Sequence, residues 1–301
     1  MQTIGFIGLG VLGSAIVKNI VEGGVQVVGY DIAEDARQTA LSLGVTLADS
    51  PAQVATDTDF VITCLPNADA LTAVTNGNEG LFSAQKKNPN NDLCIIEMST
   101  LSLDDKTAFA ERSKHAGCRT VDCPVSGNRV MALNKKLTAF FSGEESDYLL
   151  LKPVLELTCG KTHYVGDFGN GSKVKICGNI LNLVHNTVAA EAMVLAIKSG
   201  LDPAMFHKVI SGSASSSAMF EGRGGLMVDE NYTAEGMNMS VPLKDSAIIS
   251  QHASKLRCPL PLYQTALQQY FAAAAQGLDD KDASVVCKVM ENNAGVERKE
   301  T

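Results

Sequence analysis

The chain has 301 residues, 45% hydrophobic and 19% charged, a composition that supports large buried cores and excludes disordered and collagen-like classes. Length alone points to about two domains. The formal charge is −8, and the basic residues form nothing longer than pairs such as Lys86-Lys87 and Lys135-Lys136, so no footprint for nucleic acid or an anionic membrane surface is expected.

The first predicted element is an apolar, β-branched strand at 3–7. It runs into Gly8-Leu9-Gly10-Val11-Leu12-Gly13, a GxGxxG turn that opens a helix reaching about residue 22. Each glycine has a reason in a dinucleotide site: a tight turn, close backbone approach to pyrophosphate, and close packing of helix on strand. The helix start at Val11 and Leu12 then offers unpaired N–H groups and a positive dipole end to phosphates. A second strand at 26–30 ends in Asp31, placed to accept hydrogen bonds from the adenosine ribose. Asp31, Glu34 and Asp35, with no arginine nearer than Arg37, would repel a 2′-phosphate, so NAD is the expected cofactor. Asp31 can equally cap the next helix, and the two roles can coexist.

Further strands are predicted at 60–63, 94–97, 119–122, 137–142 and 161–165, alternating with helical stretches. This is the pattern of βαβ units, so residues 1–166 are expected to form an α/β Rossmann domain with a doubly wound, mostly parallel sheet. Leu65-Pro66 and Thr100 follow strand ends, where nucleotides bind in open α/β sheets, and are expected cofactor contacts; as ordinary turns they would carry no function. From the link at 166–171 onward the chain turns helical, with a long helix at 173–197 stopped by Gly200, and segments at 203–210, 243–256, 261–276 and 282–290. Residues 167–301 are therefore expected to be an all-α domain that begins with a long interdomain helix.

Eight cysteines and five histidines show neither CxxC pairs nor zinc spacing, so no metal is expected. No charged leader with a cleavable apolar run is evident, and no apolar stretch approaches the roughly 20 residues of a membrane span. A cytoplasmic protein with reduced cysteines, or a matrix protein after processing, is expected.

Five blocks remain: Gly5-Phe6-Ile7-Gly8-Leu9-Gly10, Leu65-Pro66-Asn67, Met98-Ser99-Thr100, Asp122-Cys123-Pro124-Val125-Ser126-Gly127, and Gly169-Asn170-Gly171 leading to Lys175 and Asn179. With them, and with Leu243-Lys244-Asp245, the chain resembles the β-hydroxyacid dehydrogenase family nearly end to end. The resemblance implies oxidation of a small anionic 3-hydroxy acid to its semialdehyde, or the reverse, with hydride passing to or from the nicotinamide cofactor. It implies Lys175 as the proton-transfer group and Asn179, one helical turn on, as its aligner. It implies Ser126, Gly127 and Asn128, with Gly178, as substrate-binding residues, Lys244 beside the nicotinamide, and a homodimer or homotetramer. The chain departs from the family in reading Asn128-Arg129-Val130-Met131-Ala132 where further glycines and an alanine are usual, which is expected to reshape the substrate pocket. Arg129 meets a second anionic group there or only pairs on the surface. Two alternatives share this architecture: an imine reductase, in which the Lys175 position carries another residue, and a nucleotide-binding scaffold without chemistry, against which Lys175 and Asn179 both argue.

Overall fold

The computed structural model describes residues 3–88, 92–235 and 238–298. They divide into two compact units, one ending at Lys175 and the other beginning at Ile176.

The first unit runs β1 Ile4–Ile7, α1 Val11–Glu22, β2 Val27–Tyr30, α2 Glu34–Ser42, β3 Thr46–Leu47, α3 Pro51–Asp57, β4 Phe60–Thr63, α4 Ala68–Thr75, α5 Leu81–Lys87, β5 Cys94–Glu97, α6 Leu103–Ala116 and β6 Arg119–Asp122. The six strands form one parallel sheet in the order β3-β2-β1-β4-β5-β6. The order reverses between β1 and β4, which places a crevice at the carboxyl ends of those strands. Strands β1, β4 and β5 are buried along their whole length, as a sheet covered on both faces requires. Alternate residues feed opposite cores. Ile4, Phe6, Ile62 and Ile96 pack with Ile16 and Ile20 of α1, while Ile7, Val61 and Ile95 pack with Val54, Leu81 and Phe109. Burying each such side chain stabilises the fold by about 1.5–3 kcal/mol.

The predicted strands at 137–142 and 161–165 do not extend this sheet. After β7 Val125–Ser126 and α7 Arg129–Leu133 they appear as β8 Leu137–Phe141 and, beyond α8 Glu145–Leu155, β9 Cys159–Tyr164. Together β7, β8 and β9 make a separate three-stranded sheet. An Asp122–Ser142 bridge ties it to the end of β6, each residue donating its N–H to the other's carbonyl.

Helix α9 spans Asn170–Lys198, so its first turn belongs to the first unit. The second unit holds the rest of α9 with α10 Pro203–Ile210, α11 Ala218–Val228, α12 Ser240–Lys255, α13 Pro261–Ala275, a 3-10 turn Ala283–Val285 and α14 Val286–Ala294. Buried Asn186 of α9 donates to the Tyr270 hydroxyl at 2.8 Å and the Ala283 carbonyl at 2.9 Å, fixing the helix against α13 and the 3-10 turn. One expectation changes here. By length and composition α9, 29 residues with mean hydropathy 1.5 in its most apolar window, is sufficient to cross a membrane, because alanine, valine and leucine outweigh the lysines near its ends. Between α11 and α12, Tyr232 is buried and its carbonyl accepts the Asp282 N–H at 2.9 Å.

Candidate active site

The turn after β1 is built by steric exclusion. Gly8 has φ +98°, and a Cβ there would lie 2.2 Å from the Cys64 carbonyl oxygen; a Cβ on Gly13 would lie 1.9 Å from that of Gly8. Gly10 differs, since a Cβ would meet nothing within 4 Å. Gly10 is also the N-cap of α1, where no side chain caps the helix and no acidic residue sits in the first turn. Val11 is exposed and Leu12 half-buried. Open space, first-turn N–H donors and a positive helix end converge there, and they fit a pyrophosphate.

Asp31 follows β2 and bonds twice to the backbone. Its Oδ2 accepts the Leu9 N–H at 2.7 Å and its Oδ1 the Ala33 N–H at 2.8 Å. Asp31 does not cap α2, whose N-cap is Ala33 and carries no side-chain cap bond; it closes the turn before the helix, and the bond to Leu9 locks the glycine turn to the next strand. A carboxylate has about four acceptor sites, so these two bonds leave capacity for ribose hydroxyls. Beside it Ile32 is 88% exposed, an apolar side chain at the rim that sequence reasoning passes over; only its place directly after the strand-end acid would have marked it.

At the next two strand ends, Leu65 donates its N–H to Ser99 Oγ at 2.8 Å and Ser99 donates its own to Glu97 Oε1 at 2.8 Å. The turns carrying Leu65-Pro66 and Ser99-Thr100 are therefore stapled together. Parallel register, with Ile7 opposite both Tyr30 and Thr63 and Thr63 opposite Glu97, brings Gly8 to Gly13, Asp31, Leu65, Pro66 and Thr100 to one sheet edge.

Ser126, Gly127 and Asn128 lie at the start of the second sheet. Gly127 has φ +131°, and a Cβ would strike Leu137 Cδ2 at 2.6 Å. Asn128 caps α7, its Oδ1 accepting the Met131 N–H at 3.0 Å. The bulkier residues at 128–132 make a short helix seated on α1, where Asn19 Nδ2 donates to the Ala132 carbonyl at 2.6 Å. Arg129 is exposed, and no ion pair to it is found among the described residues.

Lys175, Gly178 and Asn179 follow along α9, the lysine and asparagine four residues apart on one face. In the second unit Asn179 Nδ2 donates to Asp245 Oδ2 at 2.8 Å, and Asn179 Oδ1 accepts from Asn182 Nδ2 at 3.4 Å. Asp245 is buried at 7% exposure and pairs with the exposed Lys244, whose Nζ lies 3.4 Å from Oδ1. Asp245 thus joins Asn179 to Lys244. Sequence reasoning credits Lys244 alone; the carboxylate beside it in Leu243-Lys244-Asp245 was the available signal.

Two family models match the chain. Residues 3–166 match the NAD binding domain of 6-phosphogluconate dehydrogenase, and residues 169–290 the NAD-binding domain of NADP-dependent 3-hydroxyisobutyrate dehydrogenase. A 2-(hydroxymethyl)glutarate dehydrogenase of Eubacterium barkeri is 32% identical, over 97% of this chain and 96% of its own length. An L-threonate dehydrogenase of Escherichia coli K12 is also 32% identical, over 95% and 94%. The crystal structure of a 3-hydroxyisobutyrate dehydrogenase from Salmonella typhimurium superposes with a TM-score of 0.83 at 30% identity, covering 96% of this chain and all of that one. An imine reductase from Pseudomonas sp., 17% identical with a TM-score of 0.59, shares the fold alone.

Proposed function

This chain belongs to the β-hydroxyacid dehydrogenase family of nicotinamide-dependent oxidoreductases acting on hydroxyl groups, and from that premise we propose that it interconverts a small 3-hydroxy acid and its semialdehyde, with NAD preferred over NADP. Two of its relatives are named for 3-hydroxy acids, 2-(hydroxymethyl)glutarate and 3-hydroxyisobutyrate.

A bound nicotinamide ring supplies the hydride acceptor for oxidation and the hydride donor for reduction. The protein part of the proposal divides the work between residues 1–166, which hold the nucleotide, and 167–301, which complete the substrate side. The open Gly10, with the first-turn N–H groups of Val11, Leu12 and Gly13, supports pyrophosphate binding. Asp31 takes the ribose hydroxyls, Leu65, Pro66 and Thr100 line the nicotinamide half, and Lys244 approaches it. Ser126, Gly127 and Asn128, with Gly178, grip the substrate carboxylate. Asn128 does so through its amide nitrogen, since its oxygen caps α7. Arg129, exposed and clear of ion pairs among the described residues, suits a second anionic group.

Lys175 accepts the hydroxyl proton on Nζ as the carbinol C–H bond breaks and the C=O bond forms; in reduction it returns that proton to the carbonyl oxygen. The observation that carries this reading is the Lys175/Asn179 pair on one helical face, with the Asn179 amide held by Asp245. A cytoplasmic homodimer or homotetramer completes the proposal, supported by Leu181, Val188 and Leu195 of α9, which are 56%, 53% and 69% exposed in one chain.

The test is a panel of hydroxy acids screened for NADH formation, followed by Lys175→Ala on the best substrate. The variant is expected to lose about 10²–10⁴ in kcat while still binding NADH. Lys175→Arg should fail too, because a guanidinium does not release its proton near neutral pH. In the parent enzyme alcohol oxidation should rise with pH as Lys175 loses its proton. A folded Lys175→Ala protein that binds NADH and keeps more than about a tenth of parental kcat would overturn the assignment.

A further inference from the structure

Beneath the sheet edge lies a group of charges that the mechanism above does not use. Lys106 of α6 is wholly buried, with Nζ 2.6 Å from Glu97 Oε2 and 2.6 Å from Asp122 Oδ1, both carboxylates also at 0% exposure. Glu97 ends β5 and Asp122 ends β6, opposite one another in parallel register. Burial alone would lower the Lys106 pKa, but the two carboxylates outweigh it and hold the ammonium above its ordinary pKa. Such a cluster is poor value as a stabiliser, because well-packed apolar residues of similar volume serve a core as well or better. Its outer bonds point to a different use.

Glu97 Oε1 accepts the Ser99 N–H, and Ser99 Oγ accepts the Leu65 N–H, each at 2.8 Å. On the other side, Asp122 Oδ2 accepts the Ser172 N–H at 2.7 Å and Asp122 Oδ1 accepts the Ser172 hydroxyl at 2.9 Å. Ser142 joins the same end: its hydroxyl lies 3.0 Å from the Asp122 carbonyl oxygen and 3.2 Å from Oδ2, and accepts the Gly171 N–H at 2.9 Å. Gly171 has no room for a side chain, since a Cβ would lie 2.3 Å from the Phe140 carbonyl oxygen. One unbroken set of polar contacts, part-buried at Leu65 and buried beyond it, therefore runs from the Leu65 and Ser99 turns, through Glu97, Lys106 and Asp122, to the first turn of α9. Lys175 lies three residues beyond Ser172 on that helix.

We propose that Lys106, Glu97 and Asp122 are positioning residues for hydride transfer: the buried triad sets the first turn of α9, and with it Lys175, against the strand-end turns that hold the nicotinamide half of the cofactor. The inference rests on the reading of Lys175 given above. Ion pairs fix direction and register where apolar contacts would let a helix end slide, and a misplacement of about 1 Å from a change remote from the chemistry lowers a rate by roughly 10²-fold.

Lys106→Met removes the cation and strands two buried carboxylates, which endangers folding, so Ser172→Ala carries the decision. It deletes only the hydroxyl bond to Asp122 and keeps the backbone one. The readouts are hydrogen exchange by mass spectrometry, NADH binding by fluorescence, and kcat, KM and the primary deuterium isotope effect with 3-hydroxyisobutyrate. For Ser172→Ala the expected result is faster exchange confined to 170–175 and the turns at 65–67 and 97–101. With it should come a kcat lowered roughly 10-fold, an altered isotope effect, and KM and NADH Kd within about twofold of the parent. Lys106→Met, where it folds, should show the same pattern more strongly, and Ser172→Thr, which keeps a hydroxyl, should restore most of the rate. Unchanged local exchange in Ser172→Ala overturns the proposal whatever the substrate, and so does an unchanged kcat. A loss of rate matched by equal losses of NADH binding and Tm is the mark of a merely structural bond and also overturns it. Lys175→Ala run in parallel separates the two readings: if Lys175→Ala is inactive and Ser172→Ala is normal, only the positioning role falls.

Discussion

Asp31 shows how one side chain serves two ends. Its carboxylate holds the Leu9 and Ala33 N–H groups and, in the proposed function, also meets the ribose and repels a 2′-phosphate. The parent should therefore show a higher kcat/KM with NAD than with NADP, and Asp31→Ala should narrow that gap. The same variant should lower stability by about 1 kcal/mol, because Leu9 loses a partly buried acceptor. Steady-state kinetics with both cofactors and a urea melt check the two halves separately. Equal use of the two cofactors by the parent would remove Asp31 from the ribose while leaving its role in the turn intact.

Helix α11 makes the corresponding point for an element. Its three glycines, Gly222, Gly224 and Gly225, lower helix propensity by about 1 kcal/mol each relative to alanine, yet the helix forms, capped by Ser217 Oγ on the Phe220 N–H. Packing decides which glycine matters. A Cβ at Gly224 would lie 2.4 Å from the His207 ring of α10, whose Nε2 is 3.1 Å from the Phe220 carbonyl oxygen, whereas a Cβ at Gly225 meets nothing within 4 Å. Gly224→Ala should thus destabilise by about 1–3 kcal/mol despite the better propensity, and Gly225→Ala should stabilise by up to about 1 kcal/mol. Thermal melts of the two variants settle it, and equal shifts would refute the packing argument. The same helix marks where sequence reading stops. Periodicity reveals α9 and five of the six strands of the parallel sheet, but α11 hides behind its glycines, and β3 and β7, two residues each, are too short to show a pattern. In the candidate site the glycine spacing and the acid after a strand follow a local rule, whereas Lys175 and Asn179 are singled out only by the resemblance to the family. Asp245 holding Asn179 across 66 positions, and Lys106 between two strand ends, follow no local rule and emerge only from the fold.

At the scale of the whole molecule, burial sorts the eight cysteines. Cys177 and Cys258 are exposed and Cys64 half-buried, while Cys94, Cys118, Cys123, Cys159 and Cys287 are buried. Burial pushes the Cys118 thiol up to about 11 and that of Cys159 to about 12, and the thiolate is the reactive form. A disulfide reagent should modify Cys258 rapidly in the native protein, Cys64 more slowly, and the five buried thiols only on unfolding, while the rate at Cys177, one turn before Leu181 on α9, should fall on assembly. Mass spectrometry of the labelled peptides reads this out; native labelling of Cys118 or Cys159 at the rate of Cys258 would contradict the packing. The bond between Asp31 and Leu9 has a consequence for how such an enzyme could change over generations. If Asp31 excludes the 2′-phosphate, as proposed, a lineage drifting toward a phosphorylated adenosine would have to give up the same carboxylate that fastens its glycine turn, so each step toward that cofactor would also lower conformational robustness. Variants that retain a neutral acceptor at position 31 and add a cation nearby are the passable route, and a stabilising change elsewhere in the fold should precede the switch.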